Sequence, residues 1–352
     1  MKSRLLRTAA TLLCIVLALA VAALTLFWKE LRSLSTLKKL DDYGMFQMTY
    51  YGDYGFDEFL QVGAQKDSDI EVFVTKRLLK GIPIDLGVTG DGCTAYVMRN
   101  ENGEVLYGRN FDFSYAPSLQ VFTKPDHGYA SVSTVNLSFA GYSRENLPNG
   151  MSVQSFLTLA APFLPFDGMN EKGLAIALLA VPAADLAFDE EKTTLNTTTA
   201  IRLVLDRAAT VEEAVELLRN YNIYFSGDIT CHYLIADASG NSVIVEFWDG
   251  ALRTVTTEEA YQIASNFIAY QGLNIGEGYT EFERYDAVEA AIQANNGALS
   301  KQQAIDVLKT VGIRDGQEDK LQWSVLYNLS TLKGTIFAHR NTENQTDFAL
   351  KP

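Results

Sequence analysis

The stretch Gly92-Cys93-Thr94-Ala95-Tyr96-Val97-Met98-Arg99-Asn100-Glu101-Asn102-Gly103-Glu104-Val105-Leu106-Tyr107-Gly108-Arg109-Asn110-Phe111-Asp112-Phe113 sets the fold. Residues 93–99 alternate with the two-residue period of a strand, and residues 104–113 resume that pattern. Between them, Asn100-Glu101-Asn102-Gly103 has turn chemistry, so the two runs predict an antiparallel hairpin. With the turn centred on residues 101–102, Cys93 pairs across the ladder with residue 110 or 111. Arg109 and Asp112 then fall among its direct or diagonal cross-strand neighbours.

That hairpin gathers three chemical elements. A cation beside a thiol lowers its pKa and raises the thiolate fraction, and a nearby carboxylate orients an amine. No His lies in the motif, so a general base is missing. A residue at a chain terminus carries its own, because an α-amine has a reference pKa of roughly 7.7–8.0. The composition of Thr89-Gly90-Asp91-Gly92 suits a cleavage site ahead of Cys93. Spacing alone leaves two readings open: Cys93 is a nucleophile freed by cleavage, or a buried strand thiol beside a surface ion pair.

Outward from the hairpin, strands and helices come in clusters. Asn170-Glu171-Lys172-Gly173 reads as a tight turn with Gly173 at positive φ, opening a strand at 174–181. A second hairpin pairs 231–236 with 242–248, and 252–256 extends it. Helices are expected at 198–208 and 281–293. Two more start at capping boxes, Thr210-Val211-Glu212-Glu213 running to about 221 and Ser300-Lys301-Gln302-Gln303 running to 311. Two strands around Lys333-Gly334 close the pattern at 323–340. Such clustering predicts layered α and β elements, not a βαβ repeat. No GxGxxG or P-loop pattern supports a nucleotide-binding reading. Cys93 and Cys231 lack the spacing of a zinc site, and His232, adjacent to Cys231, points to the opposite face of its strand.

Three motifs in order then carry a resemblance: Gly92-Cys93-Thr94, Gly108-Arg109-Asn110-Phe111-Asp112, and Asp167-Gly168-Met169-Asn170-Glu171-Lys172-Gly173-Leu174. Over residues 92–340 the chain resembles the linear amide C–N hydrolases. That choloylglycine hydrolase family includes bile salt hydrolases and penicillin V acylases, with relatives among acyltransferases and acid-ceramidase-like amidases. The resemblance implies an α+β fold, the four-layer αββα sandwich of N-terminal-nucleophile (Ntn) hydrolases. It implies Cys93 as nucleophile and free amine, with Arg109 and Asp112 flanking thiol and amine. Asn266 matches the family's oxyanion donor, the backbone N–H of Ala180 its second donor, and Arg284 a further active-site Arg. No cofactor or metal is implied. The expected substrate is a small-molecule N-acyl amide. Acyl transfer to an amine, and a non-catalytic cell-surface binding protein keeping the fold, are the rival readings.

One departure from bile salt hydrolases is the length of chain before Cys93, which matches the precursor style of the acid-ceramidase-like relatives. Lys2, Arg4 and Arg7 precede an uncharged run at 8–27, closed by Trp28 and Lys29. At ~20 residues the run is long enough to span a bilayer. Residues 1–28 are therefore expected to form a signal anchor, transmembrane segment or cleavable signal. Residues 29–92 would be a juxtamembrane prosegment, with a basic amphipathic helix at 30–42, loops or short strands at 43–60, a short helix at 70–80 and a Gly-rich loop at 81–92. Residues 93–352 would be the catalytic domain, membrane-anchored outside the cytoplasm or secreted. The net charge of −14 lies wholly in that last part, since residues 1–92 hold 11 basic and 11 acidic side chains. Without clustered Lys and Arg, nucleic acid is excluded as a partner.

Overall fold

The computed structural model describes residues 10–15, 17, 18, 21, 25–87, 92–150, 152–276, 279–316 and 318–351. The segment before Cys93 forms α1 (Trp28–Ser35), β1 (Lys38–Lys39), β2 (Met45–Thr49), α2 (Phe56–Val62) and α3 (Asp67–Arg77). The helix expected at 30–42 therefore stops at Ser35. Thr36 ends it by donating its hydroxyl to the Ser33 carbonyl (2.7 Å) while accepting the Thr49 N–H of β2 (2.9 Å). The chain then turns into β1, which pairs with β2. Among the described residues no helix is long and apolar enough to cross a membrane. Residues 8, 9, 16, 19, 20 and 22–24 of the run read as an anchor lie outside them, as do 88–91 of the Gly-rich loop.

The predicted hairpin is β3 (Cys93–Arg99) and β4 (Val105–Asp112), with Cys93 opposite Phe111 and Ala95 opposite Arg109. Its turn is held by the Asn100 side-chain oxygen, which accepts the N–H groups of Asn102 and Glu104 (both 2.9 Å). Next come β5 (Ser118–Thr123), β6 (Ser131–Asn136), β7 (Pro165–Asn170) and β8 (Ala175–Ala180). Helices α4 (Thr197–Arg207) and α5 (Val211–Arg219) follow, then β9 (Cys231–Ala236), β10 (Ser242–Trp248), β11 (Ala251–Val255) and β12 (Tyr261–Ala264). The chain closes with α6 (Tyr279–Ala294), α7 (Lys301–Val311), β13 (Leu321–Asn328), β14 (Lys333–Ala338) and β15 (Thr346–Ala349).

Two sheets result. One has nine strands in the order β1-β2-β5-β6-β7-β8-β9-β10-β11, antiparallel except where β2 runs parallel to β5. The other has six, β12-β3-β4-β13-β14-β15. Helices α4 and α5 cover the outer face of the larger sheet, and α6 and α7 that of the smaller. This is the αββα layering expected.

The two-residue period explains the layers. Ala95, Val97, Val105 and Tyr107 face the core between the sheets, whereas Tyr96, Met98 and Leu106 join Val288, Ile305 and Leu308 beneath α6 and α7. Local chemistry sets the helix ends. Ser300 and Gln303 form the expected capping box of α7. Thr210 caps α5, but the Glu213 carboxylate takes the Ala209 N–H (2.7 Å) in place of that of Thr210. Helix α4 starts one residue before the expected 198, at a capping box of Asn196 and Thr199. Gly173 has φ +75°, as its turn requires. The last turn lies at 329–332, before Lys333-Gly334, because Asn328 accepts the Thr331 N–H and Leu332 takes the positive φ.

Candidate active site

Cys93 opens β3 with its side chain facing the space between the sheets, where it is 2% exposed. Arg109, two rungs along on the inward face of β4, donates from Nη2 to the Cys93 sulfur (3.4 Å) and to the Leu178 carbonyl (3.1 Å). Its guanidinium lies 5.1 Å from the Phe111 ring centre and 5.6 Å from that of Trp323. Arg109 Nε lies 3.1 Å from Asp167 Oδ2, and both side chains are fully buried. Trp323 Nε1 (3.0 Å) and the Tyr327 hydroxyl (2.7 Å) donate to the same carboxylate. A carboxylate taken out of water needs hydrogen-bond donors of this kind. Asp167 stands in one of the motifs that carry the resemblance, but no local pattern in the sequence signals its pairing with Arg109.

Asp112 sits on the other face. Its Oδ1 accepts the Ile313 N–H (2.7 Å), Oδ2 lies 3.7 Å from Arg284 Nη1, and its backbone N–H donates to the Gly92 carbonyl (2.9 Å). Arg284, on α6, donates to the Cys93 carbonyl (2.6 Å), the Thr94 hydroxyl (2.8 Å) and Asn266 Oδ1 (2.7 Å). Asn266 Oδ1 also accepts the Cys93 N–H (2.7 Å), while its Nδ2 donates to the Ala180 carbonyl (2.6 Å). A Cβ on Gly92 would fall 2.3 Å from Ile313 Cδ1, so a larger residue before Cys93 would have to displace the end of that side chain.

Ala180 lies opposite Cys231 in the β8–β9 ladder. The next residue, Val181, bonds Thr230 through its N–H (2.9 Å). Antiparallel pairs alternate between bonded and non-bonded, so the Ala180 N–H points away from β9, toward the side where β7 has not yet begun. Of the six residues, Asp112 and Asn266 thus bond the Gly92–Cys93 peptide, Arg284 the Cys93 carbonyl and Arg109 the thiol, while Ala180 is joined to Cys93 through Asn266.

Electrostatics in this uncleaved chain corrects one expectation. Burial pushes the Cys93 thiol up; Arg109 opposes that, and the balance stays above the ordinary value. The cation beside the thiol does not by itself make a thiolate here. Burial likewise pushes the Asp112 carboxyl up to about 6, against the pull of Arg284 and the Ile313 N–H. A carboxyl raised in the folded state stabilises the fold fully below its ordinary value of 3.8, and that contribution is lost as pH rises through about 6. The shift corresponds to roughly 3 kcal/mol at most. In the uncut chain, Asp112→Asn is therefore expected to flatten the fall in melting temperature between about pH 4 and about pH 7. Parallel pH profiles with and without the substitution would contradict this assignment.

A cavity of about 50 Å³ adjoins Cys93, walled by Phe111, Phe139, Phe166, Leu178 and Ile229. His232, one residue from Cys231, faces the other way and pairs with Glu246 (3.1 Å). Glu246 accepts the N–H groups of Ala269 and Tyr270 (both 2.9 Å) and so anchors the loop that presents Asn266. No group of His, Cys, Asp and Glu capable of holding a metal ion occurs among the described residues.

A buried thiol opening a strand of an αββα sandwich, with its own N–H and carbonyl clamped by Asn and Arg, defines the class structurally. Residues 93–302 match the family of linear amide C–N hydrolases, choloylglycine hydrolase family, and the chain belongs to that family. It is 31% identical over 226 residues to the bile salt hydrolase/transferase of Clostridium perfringens, covering 59% of this chain and 66% of that protein. Over 113 residues it is 33% identical to the penicillin V acylase of Pectobacterium atrosepticum, covering 28% of this chain and 29% of that one. The chain thus spans just under two thirds of the first relative and less than a third of the second. A mutant of the conjugated bile acid hydrolase from Clostridium perfringens, solved as a crystal structure, shares the fold with a TM-score of 0.54 at 19% identity, covering 73% of this chain and 92% of that one.

Proposed function

We propose that this protein is a cysteine amidohydrolase that cleaves a linear N-acyl amide after its own Gly92–Cys93 peptide has been cut. The observation that carries the reading is the convergence on that peptide. The Gly92 carbonyl accepts the Asp112 N–H, the Cys93 N–H is held by Asn266, and the thiol lies against Arg109. In the first reaction the Cys93 sulfur attacks the Gly92 carbonyl carbon, with the Asp112 N–H as donor to the oxyanion. The C–N bond breaks, leaving a Gly92 thioester and a free Cys93 amine. Water then releases the Gly92 carboxylate. The Asp112 Oδ2 atom, buried without a hydrogen-bond partner, is suited to receive the new ammonium.

In turnover the freed amine accepts the thiol proton, and the thiolate attacks the substrate carbonyl. Asn266 Nδ2 and the Ala180 N–H serve as paired oxyanion donors. The amine's proton passes to the leaving amine, and water resolves the acyl-enzyme. Asn266→Ala is expected to lower kcat by about 10²–10³, the usual cost of one oxyanion donor. An unchanged kcat would remove Asn266 from this role. The reading as a whole is tested by N-terminal sequencing of the purified protein together with an N-acyl amide panel. A chain beginning at Cys93 and amide turnover are expected; an uncut, folded, inert protein would overturn it.

Acyl transfer is a second reading, favoured by the burial of the thiol among Phe111, Phe166 and Leu178, where water is scarce. Product analysis with an added amine separates the two. We also place the domain outside the cytoplasm, held by the apolar run at 8–27 between its basic flanks. Protease protection of membrane vesicles checks that orientation.

A further inference from the structure

The cavity beside Cys93 is not built from residues 93–352 alone. Leu86 and Asp67, both from the segment ahead of the nucleophile, line it too. That segment is embedded in the fold. Strand β2 pairs with β5 over five residues and buries Met45, Phe46 and Met48. Tyr54, wholly buried, donates to both oxygens of Asp206 (2.7 Å), which Arg202 pairs at 3.1 Å. Phe56 and Phe59 stack on each other and meet Phe163 edge to face. Cutting one peptide bond before Cys93 breaks none of these contacts.

Both lining residues are held firmly. The Leu86 N–H donates to Glu71 of α3 (2.8 Å), and the Gly87 N–H to the Phe139 carbonyl (3.2 Å), so backbone bonds place the Leu86 side chain beside the aromatic wall. Asp67 opens α3. Its Oδ1 accepts the hydroxyls of Ser226 (2.7 Å) and Tyr224 (3.1 Å), and its Oδ2 the Gly227 N–H (3.1 Å). Asn196, Thr197 and Thr198 complete this polar side of the cavity, and Asn196 Nδ2 donates to Ser226 (2.8 Å). An acyl group attached to Cys93 therefore meets an apolar wall that includes Leu86 and a polar side that carries a fixed carboxylate.

We propose that Leu86 and Asp67, supplied by the segment before the nucleophile, set the acyl specificity of the enzyme: Leu86 limits the length of the acyl group, and Asp67 requires an uncharged tail. This rests on the amidohydrolase reading above. A methylene too many in a fitted apolar pocket costs ~10–200-fold in kcat/KM, and a carboxylate brought near a fixed carboxylate is repelled.

The test uses the full chain after processing. Straight-chain N-acyl amides of one amine, from about four to about twelve carbons, and their ω-carboxylated counterparts are compared by kcat/KM. Leu86→Ala is expected to move the optimum to chains longer by about two methylenes, with at least ~10-fold gain on them relative to wild type, and Leu86→Trp to shorten it. Asp67→Asn is expected to raise kcat/KM for ω-carboxylated acyl groups ~10-fold relative to neutral ones. Val72→Ala, exposed on the same helix, should leave the profile unchanged. Calorimetric binding of the free straight-chain carboxylic acids gives the same length profile without turnover. A length limit in binding that follows Leu86, in a protein that hydrolyses no amide, supports this inference while the amidohydrolase reading fails. Hydrolysis by wild type with a profile unmoved by Leu86 and Asp67, or moved equally by Val72→Ala, overturns it.

Discussion

Cys93→Ala is expected to leave the chain as one uncut polypeptide and to lower amide hydrolysis to the uncatalysed background, a loss of about 10⁴–10⁶ in kcat. Both losses come from one atom. The Cys93 sulfur is the only nucleophile placed by the described contacts against the Gly92–Cys93 peptide, with Arg109 Nη2 3.4 Å away. The methyl of Ala fits the space and Arg109 Nη2 keeps its bond to the Leu178 carbonyl, so the fold should persist and the loss is one of chemistry. Intact mass reports the first effect and turnover of an N-acyl amide the second. Cys93→Ser refines the test, because a hydroxyl keeps the geometry with a poorer nucleophile. A Cys93→Ala protein that still shows a new N-terminus at residue 93 would refute self-cleavage. One that still turns over amide would refute the nucleophile itself.

The largest expected effect on stability is at Asp167. Its carboxylate lies at the centre of the sandwich, paired with Arg109 across the two sheets and bonded by Trp323 and Tyr327 of β13. Removing one partner of a buried pair leaves an uncompensated charge, and such changes cost about 3–5 kcal/mol. Asp167→Ala should lose that much in urea unfolding, and it should also free Arg109 to move from Cys93. Replacing both partners by apolar residues, as in Arg109→Met with Asp167→Leu, removes the unpaired charge but leaves Trp323 Nε1 and the Tyr327 hydroxyl without this acceptor, so only part of the stability is expected back while activity stays absent. A loss below ~1 kcal/mol for Asp167→Ala would show that the pair is not the closed unit its geometry describes.

Residues close along the chain were the legible ones. The Cys93 hairpin, its register to within one residue, the Gly173 turn and the Ser300 cap all rest on period-two alternation, turn residues or capping pairs within a few positions of one another. The same locality explains the errors. Nothing near Thr36 announces that its hydroxyl will meet β2, and nothing near Met45–Thr49 announces a parallel partner at Ser118–Thr123. Asn266 and Arg284 entered through resemblance alone, because an Asn after a strand and an Arg on a helix carry no chemistry by themselves.

What the amino-acid order determined unaided was therefore the hairpin that brings Arg109 and Asp112 close to Cys93. Tertiary structure decided the rest: the Asp167 charge that Arg109 meets from the other sheet, the Asn266–Arg284 clamp on the Cys93 peptide, and the Leu86 and Asp67 side chains in the cavity wall. It also decided the state of the thiol, which burial pushes up despite the neighbouring cation. Periodicity and turn chemistry act between residues a few bonds apart. Desolvation and charge pairing depend on which distant segments close over a group, and only the folded chain brings those together.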